Sequence, residues 1–277
     1  DISTPQNKAQ NFGLLGAAFG LGFILGPVLG GVLGQYGSRI PFFAAAGLCL
    51  LNVVYGYFVI PESLKPELRR PFSWKNANPI GAFKHIKSYP NIIPLIVCIF
   101  LINIAANAVQ STWSYYTMEK FSWDERMVGL SLGFVGTLLM IVQAGLIRIA
   151  IPKLGLQKAI LTGLILYVIA YSLFGFASAS WMMYAISIFF VSAGIAGPAL
   201  QSYISDRIPQ NEQGQIQGGI TSVISLTSII GPLLMTSLFA YFSKKDVHPY
   251  FPGAPFILSA ALAITALIIA FVYFRKK

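Results

Sequence analysis

Asn103, Asn107, Gln110 and Ser114 recur at intervals of four, three and four residues within an otherwise apolar stretch, which on a helix sets them in one stripe. Amides and hydroxyls in that setting do hydrogen-bond chemistry. Either they tie neighbouring helices, at about 0.6 to 2 kcal/mol each, or they line an aqueous cavity and offer donors and acceptors to a polar ligand. Gln143 and Gln201, each deep in an apolar run or near its end, can join the same cavity or serve as helix glue. Tyr167 and Tyr171, one helical turn apart, can present ring faces and hydroxyls to an aromatic ligand or fill a core. The apolar runs hold no nucleophile with a base beside it and no metal-ligating cluster, which disfavours an enzyme and predicts no metal. Cys49 and Cys98 both lie inside apolar runs, which excludes a disulfide framework, and His85 and His248 lie outside them.

The elements that must carry these residues follow from composition. Of 277 residues, 56% are hydrophobic and 10% charged, with mean hydropathy +0.69. A soluble domain carries roughly 25% charged residues, so this chain cannot build a water-facing surface and is expected to be an all-α integral membrane protein. About 20 apolar residues span roughly 30 Å of hydrocarbon at 1.5 Å per residue. Runs of that kind are Phe12 to Tyr36, Pro41 to Val59, Ile92 to Tyr115, Val128 to Ile151, Ile160 to Phe176, Met182 to Ile204, Gly218 to Phe242 and Phe256 to Phe274. Eight spans put both termini on one side of the membrane. The net charge of +10 sits in the breaks between runs, where it sets orientation in a lipid bilayer and calls for no nucleic acid. All Lys and Arg residues except Arg39, Lys120, Arg126, Lys244 and Lys245 fall on the side of the termini, which is therefore expected to be cytoplasmic. Trp113, Trp123 and Trp181 then fall near the outer interface. Residue 1 is Asp, and nothing at the start has the pattern of a signal peptide.

The long break holds Pro61, Pro66, Pro71, Pro79 and Pro90, which predicts a linker over 60–91 between a first part at 1–59 and a second at 92–277. Phe72, Trp74, Ile80, Phe83 and Ile86 interleave there with Lys75, Lys84 and Lys87, a pattern that suits an anionic headgroup surface and equally a solvated linker. Sliding the chain on itself by 205 positions aligns Gln10 with Gln215, Gly13 with Gly218, Gly26-Pro27 with Gly231-Pro232 and Tyr36 with Tyr241, among other identities. Such duplication marks transporters built from two equivalent halves of six helices. Four spans precede the second copy of the repeat within 92–277 and none precedes the first. The expectation is therefore helices five to twelve of a twelve-helix protein, with the first four absent.

The first run carries Gly13, Gly22, Gly26, Pro27, Gly30 and Gly31. On a helix Gly22, Gly26 and Gly30 share a face where another backbone can approach, and Pro27 predicts a bend because it cannot donate to Phe23. A tight helix contact explains these glycines by themselves. Their full spacing resembles the antiporter motif in the fifth helix of drug/proton antiporters of the major facilitator superfamily. The wider chain is similar to the tetracycline/proton antiporters. The residues that carry this are Asn11-Phe12-Gly13-Leu14, Pro41-Phe42, Glu62-Ser63, Gly129-Leu130-Ser131-Leu132, Gln143-Ala144, Gln157-Lys158-Ala159-Ile160, Pro198-Ala199-Leu200-Gln201, Gly214-Gln215-Ile216-Gln217-Gly218 and Leu226-Thr227-Ser228-Ile229-Ile230-Gly231-Pro232.

The resemblance implies the major facilitator superfamily fold, with eight of its twelve helices in this chain, and efflux of a tetracycline-like drug from the bacterial inner membrane. It implies a substrate cavity with Asn103, Asn107 and Gln201 on its face, to which Gln110, Gln143, Tyr167 and Tyr171 are added from their own positions, and a glycine motif that controls leak and the direction of exchange. No cofactor is implied beyond the proton gradient and a divalent cation travelling with the drug; the oligomeric state implied is a monomer or weak homo-oligomer. Leu139 and Tyr167 stand where some relatives have a His and an Asp. None of the eight runs contains Asp, Glu or His, so the titratable group that proton coupling requires is expected in the absent helices. The alternatives are a transporter of the same fold for another drug or metabolite, and a truncated, inactive remnant.

Overall fold

The computed structural model describes residues 3, 7–34, 36–37, 39–60, 88–244 and 248–276. The linker pattern expected over 60–91 lies almost wholly outside the described residues. Among them every regular element is helical: α1 (Lys8–Gly34), α2 (Ile40–Val59), a 3-10 turn (Pro90–Ile92), α3 (Ile93–Phe121), α4 (Glu125–Ile141), a π-turn (Val142–Leu146), α5 (Ile147–Leu154), α6 (Leu156–Phe176), α7 (Ser180–Ala193), α8 (Ala196–Ser205), a second 3-10 turn (Gln210–Glu212), α9 (Gln213–Phe242) and α10 (Ala254–Arg275). Among the described residues, six helical stretches are long and apolar enough to cross a membrane: Ile40–Val59, Pro90–Phe121, Leu156–Phe176, Ser180–Ser205, Gln210–Phe242 and Ala254–Arg275. The other two expected spans are helical as well, over α1 and over α4 with its continuation into α5.

Two of the spans are interrupted where the apolar run gives no sign of it. Between α7 and α8 the backbone tightens, Gly194 N–H donating to Val191 O at 3.0 Å and Ile195 N–H to Ser192 O at 3.3 Å. Pro198 then falls in the first turn of α8, where a missing N–H leaves no bond unmade. Between α4 and α5, Ile147 N–H reaches back five residues to Val142 O and widens the helix by one residue without ending it.

Among the described residues, the buried members of both hydrophobic clusters lie between Ile92 and Ala270. α3 is the central post, packing on α9 and α10, while α6 packs on α7, α8 and α10, and α4 on α7. Buried polar groups fasten the helices: Trp113 Nε1 donates to Ser131 Oγ (2.9 Å), Tyr116 Oη to Phe174 O (2.6 Å), Trp123 Nε1 to Ser180 Oγ (2.9 Å) and Ser259 Oγ to Ala105 O (2.9 Å). Gly253 meets Gly175 so closely that a Cβ on Gly253 would stand 2.9 Å from the carbonyl carbon of Gly175. Tyr250, in the connection to α10, donates to Glu119 Oε1 at 2.8 Å. Partial burial, then that hydrogen bond and the carboxylate charge, raise its hydroxyl pKa. α2 has no buried residue and rests on α1. α1 in turn packs on α4, the π-turn, α5 and α8.

Candidate functional site

On α3 the amide stripe divides into two kinds of residue. Asn103 is half-buried and turns its Nδ2 back to Ile99 O at 2.8 Å. Asn107 is 6% exposed and spans two helices, its Nδ2 donating to Asn103 O at 2.8 Å and to Thr227 O on α9 at 3.4 Å. It fills the notch left by Gly231: a Cβ there would lie 2.5 Å from Asn107 Cγ and 2.8 Å from its Cβ. Gln110, a turn further on, is exposed, and Ser114 is half-buried. The stripe therefore starts as a helix clamp against the Gly231-Pro232 step and reaches open space at Gln110.

Gln143 sits inside the π-turn, at the junction of three elements. Its backbone oxygen would lie 3.0 Å from a Cβ on Gly13 of α1, and its Nε2 3.6 Å from one on Gly194 at the break between α7 and α8. Its Oε1 is buried with no hydrogen-bond partner. Gln201 is half-buried on α8, which also packs on α1. The structure thus gathers Gln143 and α8 around the start of α1, and places Asn103, Asn107 and Gln110 on α3.

Tyr167 and Tyr171 lie apart from these amides, on α6. Their rings stack at 5.7 Å and 14°, and each meets Phe190 edge-on, at 5.8 and 5.6 Å. Tyr171 is fully buried with an unpartnered hydroxyl, in the cluster that also holds Phe174 and Phe256. Tyr171 is packed into the core, while Tyr167 is half-buried at its edge.

The glycine-rich helix makes its close approach at Gly13 and Gly20. A Cβ on Gly13 would also meet Ile147 Cγ2 at 3.0 Å, and one on Gly20 would meet Leu139 Cδ2 at 3.3 Å and Met140 N at 3.4 Å. Among the described residues, Gly22 and Gly26 have nothing within 4 Å. Residues 13 and 20 are two turns apart and share a face, whereas residue 22 is rotated about 200° from residue 20. The shared face expected for Gly22, Gly26 and Gly30 is thus not the one on which α4 and α5 close. Pro27, Gly30 and Gly31 belong to α1, with side-chain surroundings outside the described residues. Gln10 extends the seam. With its amide oxygen toward Arg148, it accepts from Nε at 2.8 Å and Nη2 at 3.2 Å. Sequence reasoning missed Gly20 and the Gln10–Arg148 pair, because a lone glycine and a polar residue at a helix start carry no spacing signature. Among the described residues no group of three or more His, Cys, Asp or Glu could hold a metal.

The chain belongs to the Major Facilitator Superfamily, whose family model matches it over residues 1–225 and again over 113–277. It is 35% identical over 267 residues to the class C tetracycline resistance protein of Escherichia coli, covering 96% of this chain and 66% of that protein. It is 24% identical over 297 residues to human Hippocampus abundant transcript 1 protein, covering 98% and 61%. The human organic anion transporter MFSD10 (TETRAN) has the same fold, with a TM-score of 0.82 at 21% identity over 97% of this chain and 65% of that one. The chain spans about two thirds of the length of these proteins.

Proposed function

We propose that this chain serves in a secondary active transporter that exports tetracycline-like drugs in exchange for protons, not in an enzyme. The observation that carries this is the 35% identity to a tetracycline resistance protein along 96% of the chain. The cavity between two helix bundles is exposed to the two membrane faces in turn, with Asn103, Gln110, Gln143 and Gln201 offering amides to the drug. The eight apolar runs contain no Asp, Glu or His, so the proton-exchanging group lies outside them. The membrane is the bacterial inner membrane, and the excess of basic residues on their side makes both termini cytoplasmic. The drug travels with a divalent cation, and the transporter works as a monomer or a weak homo-oligomer.

The test uses inverted membrane vesicles carrying the product of the complete reading frame, an imposed pH gradient and a fluorescent tetracycline. Accumulation that collapses on adding an uncoupler is expected; accumulation indifferent to the uncoupler overturns proton exchange. In the same protein Gln110→Leu should weaken drug binding about three- to tenfold, the worth of one hydrogen bond, and unchanged affinity removes Gln110 from the site. A transporter of the same fold for another drug or metabolite is the second reading. It is favoured by the engagement of Asn107 and Tyr171 in helix packing, which leaves fewer groups for a drug. Competition among unlabelled ligands separates the two.

A further inference from the structure

The seam between α1 and the α4–α5 stretch runs antiparallel, pairing Gly20 with Leu139 and Met140, Gly13 with Gln143 and Ile147, and Gln10 with Arg148. The π-turn Val142–Leu146 falls in the middle of it. Contacts on the Gly20 side are made by residues before the turn, and those to Ile147 and Arg148 by residues after it. A π-turn holds one residue more than the α-helix needs, so its reversion to α turns everything beyond it by about 100° and advances it by about 1.5 Å. We infer that the π-turn is a register switch: in its present form it holds Arg148 on Gln10, and on reverting to α it rotates α5 and releases that end of the seam while Gly20 stays on Leu139.

Three further observations support this device. Gln143 Oε1 is buried without a partner, so the present register leaves a polar group unsatisfied at the point of conversion. α5 is eight residues long and ends at Gly155, whose φ of +74° and open surroundings let the chain absorb a rotation. Arg148 is exposed, so its guanidinium leaves Gln10 for solvent or headgroups without being buried unpaired. The switch is a local step, distinct from two rigid halves rocking apart, and does not depend on what is transported.

The test uses the full chain in nanodiscs with Cys49 and Cys98 changed to Ala. Nitroxide pairs go on exposed positions, Leu14→Cys with Ile149→Cys on the far side of the π-turn and Leu21→Cys with Thr137→Cys on the near side. Double electron–electron resonance should give two distance populations for 14/149 and one for 21/137. Deleting Gly145 removes the extra residue, so an unbroken α-helix then carries Ile149 in the register that the π-turn gives it now; it should collapse the first pair to the population of the present register, remove the other, and leave the second pair unchanged. A single 14/149 population in the parent chain overturns the switch. So does a 21/137 distance that splits together with 14/149, which is rigid separation. So does a Gly145 deletion that keeps 21/137 but leaves the 14/149 distribution as it was. If the deletion abolishes the 21/137 distance as well, the chain has misfolded and the parent distributions alone decide.

Discussion

Asn107 shows how one amide is spent. In a bilayer a polar side chain on an apolar helix must find a partner, and Asn107 finds two carbonyls, one on its own helix and one on α9. It can reach the second because position 231 is Gly. Gly231→Ala would drive a methyl group into Asn107 and should lower stability by about 1 to 3 kcal/mol, the cost of overpacking a close contact. Asn107→Ala loses the cross-helix bond and should cost about 1 kcal/mol. Because the two act on one contact, the double variant should be more stable than the sum of the two losses predicts, as read from thermal unfolding in detergent. Strict additivity would mean that residues 107 and 231 do not touch. The spacing of the stripe was legible in the sequence, but its division into a clamp at Asn107 and an open amide at Gln110 was not. That division depends on which neighbour holds a glycine 124 positions further along the chain.

At the scale of elements, glycine is permissive in some places and required in others. Gly253 faces the backbone of Gly175, where the α6 end and the α10 start cross, and backbone cannot step aside as a flexible side chain can. Gly253→Ala should therefore cost well over 1 kcal/mol and lower the unfolding temperature by several degrees. Gly26→Ala, with open space around its Cβ position and a better helix former in place, should be neutral or stabilising by up to about 1 kcal/mol. The two variants measured side by side in detergent check this, and a loss at Gly26 equal to that at Gly253 would show a neighbour at Gly26. The sequence marked Gly26 as part of a motif and passed over Gly253, since a motif records spacing along the chain and a crossing of two helices has no spacing. The π-turn was hidden for a related reason. One extra residue in an apolar run leaves the hydrophobic pattern intact.

At the scale of the molecule, burial is unevenly distributed. Among the described residues, every buried residue of both hydrophobic clusters lies from Ile92 onward, while α2 buries none and α1 packs on α4, the π-turn, α5 and α8. A chain beginning at Ser88 should therefore insert and fold by itself, with an unfolding temperature within a few degrees of the parent and helicity per residue unchanged by circular dichroism. Aggregation or a broad, uncooperative transition would show that α1 is required to hold α4, α5 and α8 in place. The family model matches the chain twice, over 1–225 and 113–277, in keeping with the repeat that pairs Gly26-Pro27 with Gly231-Pro232.

Composition and run length by themselves determined that the chain crosses a membrane as helices, and roughly where each begins and ends. Hydrocarbon demands internal pairing of every backbone group, and that demand is local in sequence. The resemblance carried by the glycine spacing and the other motifs further pointed to the family, because inherited order survives as order. Tertiary structure alone decided which amide reaches another helix, that Tyr171 is buried while Tyr167 is only half-buried, and where α1 closes on its neighbours. These outcomes turn on the rotation of each helix about its own axis, and that rotation is fixed by close packing against residues far away in the chain.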